Sequence, residues 1–70
     1  MVIKEIGSVI KLRRKALKIT QPRLAELAGI SINSLYKIER GAANPTLDLI
    51  EKITGVLGLE LTLQVQKINV

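Results

Sequence analysis

Neither cysteine nor histidine occurs in this 70-residue chain, and a single tyrosine, Tyr36, is its only aromatic residue. Without cysteine there is no disulfide framework, no thiolate nucleophile and no zinc finger. Without histidine the commonest metal ligand and general base is missing as well. No metal site and no cofactor are therefore expected. One aromatic ring excludes the base-stacking modules that read RNA or single strands, because those need several platforms. No apolar run approaches the roughly 18 residues that a membrane span needs. The first residues, MVIKEIGSVIKLRRK, lack an apolar core followed by a small-residue cleavage site, so no secretion signal is legible. A cytoplasmic protein with no membrane partner is the expectation.

Catalysis is equally hard to assemble. The chain has no Gly-rich phosphate loop, and Glu39, Asp48, Glu51 and Glu60 fall on unlike elements rather than forming a carboxylate pair. A domain this small also lacks room for a closed pocket of roughly several hundred Å³. The chain is expected not to be an enzyme and to take no small-molecule substrate. Its 47% apolar content fits one globular core. A domain of this length buries only about 60% of the unfolded chain's surface and is marginally stable. With disulfides and metals excluded, oligomerisation is the support that remains.

What the chain does carry is positive charge, +5 from 11 Lys and Arg against six Asp and Glu. The charge is uneven. Lys4, Lys11, Arg13, Arg14, Lys15, Lys18 and Arg23 face only Glu5 over the same stretch, whereas the residues from Thr46 onward are net acidic. Such an end suits a polyanionic partner. It equally suits a solvated cationic helix face, and charge alone does not choose.

Apolar spacing predicts four to five helices and one strand. Helix 1 is expected over about Ile6 to Leu17, with Ile6, Ile10 and Leu17 at near-helical spacing and Val9 beside them. Helix 2 is expected from Gln21 to Ala28, capped by Thr20, with Pro22 in its first turn, Leu24, Leu27 and Ala28 facing inward, and Gly29 ending it. Ser31 then caps a third helix that buries Leu35 and Ile38, turns Ile32, Asn33, Tyr36, Lys37 and Arg40 outward, and stops at Gly41. Thr46 caps a fourth, with Leu47, Leu49, Ile50, Ile53 and Leu57 as its apolar face, Gly55 as a weak point and Gly58 as its end. Two short helices joined by a tight Gly-containing turn are the helix-turn-helix arrangement, which sets its second helix in the DNA major groove.

The blocks TQPRLAELAGIS (20–31), SLYKIERG (34–41) and NPTLDLIEKI (44–53) resemble the Xre family of helix-turn-helix regulators, related to the lambda and 434 repressors. The resemblance covers about residues 6–58. It implies an all-α, lambda-repressor-like bundle and a DNA-binding domain over residues 1–58. It places Ser31, Asn33, Tyr36 and Lys37 against bases, and Gln21, Ser34 and Asn44 against phosphates. Asn suits adenine and Lys suits guanine. Tyr36 could meet a thymine methyl with its ring or a phosphate with its hydroxyl. Ile32 falls where the 434 repressor carries a base-reading glutamine, and three roles stay open for it: a thymine methyl, a partner surface or none. Asn44 could equally be a simple turn residue before Pro45. Arg14 and Glu39 match a pair that closes inside the fold, so both are expected to be structural. Two departures stand out. Lys18 occupies a position where the family often has Gly, so helix 1 is expected to end differently, since a side chain in a left-handed turn is strained. Arg13 replaces an aliphatic residue, its stem expected over the core and its head in solvent or on a phosphate.

After Gly58 the period changes to two. Leu59, Leu61, Leu63 and Val65 alternate with Glu60, Thr62, Gln64 and Gln66, as in a half-buried strand. One strand alone has two unpaired edges. Either a second copy of residues 59–70 pairs with it across a dimer, or residues 1–4 do within the chain; the second copy is the more economical choice. The function that follows is a sequence-specific, double-stranded-DNA-binding transcription regulator, a homodimeric repressor reading a near-palindromic operator. The tail also resembles HipB-type antitoxins, which gives an alternative, an interaction module that holds a toxin protein.

Overall fold

Four helices account for most of residues 3–62, the part of the chain that the computed structural model describes: α1 (Ile3–Ala16), α2 (Gln21–Ala28), α3 (Ile32–Glu39) and α4 (Leu47–Leu57). The caps explain three of the starts. The side-chain oxygens of Thr20, Ser31 and Thr46 accept the backbone N–H three residues on, at Arg23, Ser34 and Leu49, and so satisfy donors that the helix itself leaves unpaired. Pro22 sits in the first turn of α2, where its missing N–H costs nothing.

Helices α1 and α2 each pack against both α3 and α4. Ile10, Leu24, Leu35, Ile38, Ile53 and Leu57 are fully buried between them. Leu35 and Ile38 thus anchor α3 by one face, and the opposite face is free.

Several apolar residues lie elsewhere than their spacing suggests. α1 begins at Ile3, three residues before the expected start. Leu17 lies beyond its end and is 40% exposed, while the place one turn after Ile10 belongs to the buried Arg14. In α2 the inner face is Leu24, Ala25 and Ala28, and Leu27 is 46% exposed. The reason is angular. Leu24, Ala25 and Ala28 fall within an arc of about 100°, and Leu27 lies about 60° outside it. Leu47, in the first turn of α4, is likewise exposed.

Every helix ends in the same way. A residue in the left-handed region follows, and the next residue's N–H reaches back to a carbonyl five positions earlier: Ile19 to Arg14, Ile30 to Ala25, Ala42 to Lys37 and Leu59 to Thr54. In α1, α2 and α3 the left-handed residue adds a second bond (Lys18 to Lys15, Gly29 to Glu26, Gly41 to Ile38), and in α4 Gly58 shares the Thr54 carbonyl with Leu59. Glycine fills three of the left-handed positions, and Lys18, at φ 57°, fills the fourth. Helix α1 therefore keeps the left-handed ending despite the substitution. Its Lys18–Lys15 and Ile19–Arg14 hydrogen bonds, at 3.0 and 3.1 Å, together with Ile19 packed on the core, offset a conformational cost of about 1–2 kcal/mol.

Among the described residues there is no strand. Residues 59–62 have no regular structure, although Leu59 and Leu61 are half-buried and Glu60 and Thr62 exposed, in the alternation expected of them. Leu63 and Val65 lie outside the described residues, and so does any pairing of the tail.

Candidate nucleic-acid interface

The α2–turn–α3 unit is held from behind by one polar network. The Arg14 guanidinium on α1 donates from Nε to Glu39 Oε2 at 2.8 Å and from Nη2 to Oε1 at 3.0 Å, a two-pronged pair. Its Nη1 donates to the Ile19 carbonyl at 2.9 Å. Arg14 is 9% exposed and Glu39 8%, so these charges are largely removed from water. The hydrogen bond to Glu39 raises the Arg14 pKa, desolvation opposes the rise, and the carboxylate's charge adds to it. A paired geometry of this kind is what makes buried charge tolerable.

Gln21, the first residue of α2, joins the same network. Its side-chain amide donates to Glu39 Oε1 at 3.1 Å. One carboxylate therefore ties the ends of α1, α2 and α3 together. Neither spacing nor charge pointed to the Gln21 bond, since polar pairs between elements carry no local pattern. Gln21 is half-buried, and its remaining N–H and carbonyl are not used by this bond.

Arg13 turns out to serve the fold. Its Nε donates to the Leu57 carbonyl at 2.9 Å, which places a cation at the C-terminus of α4 where the helix dipole favours one. Arg13 is nevertheless exposed, so the rest of its guanidinium faces solvent as expected while Nε is held by the end of α4.

On α3, Asn33, Tyr36 and Lys37 are exposed, as are Ile32 and Arg40. Ser31 is exposed too, but its hydroxyl is engaged: Oγ accepts the Ser34 N–H at 3.1 Å and donates to Ser34 Oγ at 2.8 Å. The two hydroxyls can exchange donor and acceptor roles, so either can turn a proton or a lone pair toward DNA. Ser34 is half-buried. Asn44 is exposed in the loop before α4. The structure thus gathers Ser31, Asn33, Tyr36 and Lys37 on one helix, with Ser34 at its first turn. Arg40, which the motif reading left out of the site, stacks over the Tyr36 ring with its guanidinium carbon 5.0 Å from the centroid. The four-residue spacing from Tyr36 was the available signal.

Leu59 and Leu61 line an open, mostly apolar groove together with Ile6, Val9, Ile10 and Ile50. No helix among the described residues is long and apolar enough to cross a membrane.

A family model described as helix-turn-helix matches residues 10–64. The immunity repressor protein of Bacillus phage phi105 is 42% identical over 57 residues, covering 81% of this chain and 40% of the repressor. The transcriptional regulator SlrR of Bacillus subtilis is 40% identical over 58 residues, or 81% of this chain and 38% of that protein. The chain thus spans about two-fifths of the length of each. An HTH-type transcriptional regulator of Methanothermobacter thermautotrophicus is 36% identical over 53 residues, which is 76% of this chain and 77% of that one. Among solved structures, the restriction-modification controller protein C.AhdI of Aeromonas hydrophila superposes with a TM-score of 0.79 at 29% identity, covering 83% of this chain and 88% of the controller.

Proposed function

We propose, from the fact that this chain belongs to the Xre-like helix-turn-helix family, that it is a sequence-specific, double-stranded-DNA-binding transcription regulator acting in the cytoplasm as a homodimeric repressor. The observation that carries this reading is α3 itself: Leu35 and Ile38 are buried on one side, and Asn33, Tyr36 and Lys37 are exposed on the other. Helix α3 enters the major groove. Asn33 pairs with adenine, Lys37 with guanine O6 and N7, and Tyr36 and Ser31 complete the base contacts. Gln21, Ser34 and Asn44 hold phosphates and fix the register.

Residues 1–58 form the DNA-binding domain and residues 59–70 the dimerisation segment. Leu59, Leu61, Leu63 and Val65 pair with the same residues of a second copy, and the apolar groove that Leu59 and Leu61 already line is where such a ribbon adds cover. The two α3 helices then lie about 34 Å apart, one turn of DNA, on a near-palindrome. None of the four similar proteins is described as an antitoxin, so the toxin-holding alternative rests on the tail's resemblance alone.

Selection of bound duplexes from a random library tests the reading. A near-palindromic consensus with steep salt dependence is expected. Lys37→Ala should lose about 1–3 kcal/mol on the consensus and relax base preference at one position per half-site. Gln21→Ala should weaken all duplexes alike, after correction for any change in Tm, since Gln21 also bonds Glu39. Recovery of no duplex, or equal losses on every sequence from both variants, would overturn these assignments.

A further inference from the structure

The outward face of α3 is not uniformly polar. Ile32 is 48% exposed and Tyr36 47%. They stand one turn apart, and so do Asn33 and Lys37. At about 100° per residue, Ile32 and Tyr36 form one column on the exposed arc and Asn33 and Lys37 form the next. Arg40 lies over the Tyr36 ring, which restrains that ring at the far end of the apolar column. Ile32 is in the first turn, next to the Ser31 cap, and the first turn of a groove-reading helix is the part that reaches base edges.

An isoleucine side chain brings neither donor nor acceptor. Against the amino group of cytosine or adenine it would strip water and return no hydrogen bond, at a cost. The single base-edge group in the major groove that it complements is the C5 methyl of thymine. Resting on the proposed DNA-binding role, we infer that the Ile32–Tyr36 column is the specificity-determining part of α3 for thymine, and that Ile32 selects one A·T pair per half-site through the thymine methyl. Asn33 and Lys37 read hydrogen-bonding edges alongside it. The half-site therefore joins a methyl-read thymine to an amide- and ammonium-read purine.

The experiment uses the full chain and the consensus duplex from the selection above. Each thymine is replaced in turn by deoxyuridine, which deletes the methyl and keeps the pairing. One replacement per half-site should lower wild-type affinity about fourfold, the equivalent of roughly 0.8 kcal/mol for one buried methyl. The Ile32→Ala protein should show no penalty at that thymine, and Ile32→Val should keep part of it. Ile32 is exposed, so both variants should keep the wild-type Tm, which thermal melting checks. Wild-type affinity within twofold for every deoxyuridine duplex would overturn the inference while leaving the DNA-binding reading intact. An unchanged penalty with Ile32→Ala would do the same, since another group would then hold the methyl. Failure of the wild-type protein to bind any duplex would overturn both.

Discussion

Replacing Glu39 with alanine should remove about 3–5 kcal/mol of stability, a large part of the roughly 4–10 kcal/mol that a domain of this length holds. The carboxylate accepts two bonds from Arg14 and one from Gln21. Its loss strands a guanidinium that is nine-tenths buried, where water cannot fully replace the missing acceptor. The cost lies in the unpaired charge and not in a large favourable energy of the pair. A double variant separates the two. Arg14→Met with Glu39→Leu removes both charges and fills similar volume, and it should recover most of the loss. Urea unfolding of the two single variants and the double variant measures this, with the m-value unchanged. A double variant no more stable than Glu39→Ala would mean that the pair itself, and not the stranding, supplies the stability.

The second large effect comes from the smallest side chain. Gly7 lies inside α1, where glycine costs about 1 kcal/mol relative to alanine. It is there because α3 leaves no space: a Cβ at position 7 would stand 2.1 Å from the Ile38 carbonyl oxygen and 3.0 Å from that of Glu39. Both are backbone atoms and cannot swing aside. Gly7→Ala should therefore push α1 from the end of α3 and pull Arg14 away from Glu39, at about 3 kcal/mol or more net of the helix-propensity gain. Gly55 is the internal comparison. It also lies inside a helix, α4, but nothing would stand within 4 Å of its added Cβ. Gly55→Ala should stabilise the protein by about 1 kcal/mol. The same substitution in two helices is thus expected to act with opposite signs, and denaturant midpoints decide it. A neutral Gly7→Ala would contradict the close approach of α1 to α3.

The sequence was readable where the chemistry is local. Caps and stops are local chemistry, so Thr20, Ser31, Thr46, Gly29 and Gly58 marked their helix ends correctly. α2 occupied its expected residues, and the burial of Leu35 and Ile38 followed from spacing. The face of α3 opposite those two was legible for the same reason. What spacing could not show depends on residues distant in the chain. Position 7 carries no local cue to its role until Ile38 is found against it. Arg13 and Gln21 look like free polar groups until Leu57 and Glu39 are found at their heads. Leu27 and Leu47 look like core because they are leucines, yet a small bundle has too little interior for every leucine, and Ala25 takes the inner place on α2. Lys18 shows the converse. Propensity argued against its left-handed turn, and tertiary packing of Ile19 outweighed it.

We propose that the exposed face of α3 is the surface that meets DNA. Titration of ¹⁵N-labelled protein with the selected duplex tests it residue by residue. The amides of residues 31–37, with Gln21 and Asn44, should shift or broaden in proportion to duplex added, and those of α4 should hold still. Shifts confined to α4 and residues 59–62, with α3 unmoved, would contradict the account.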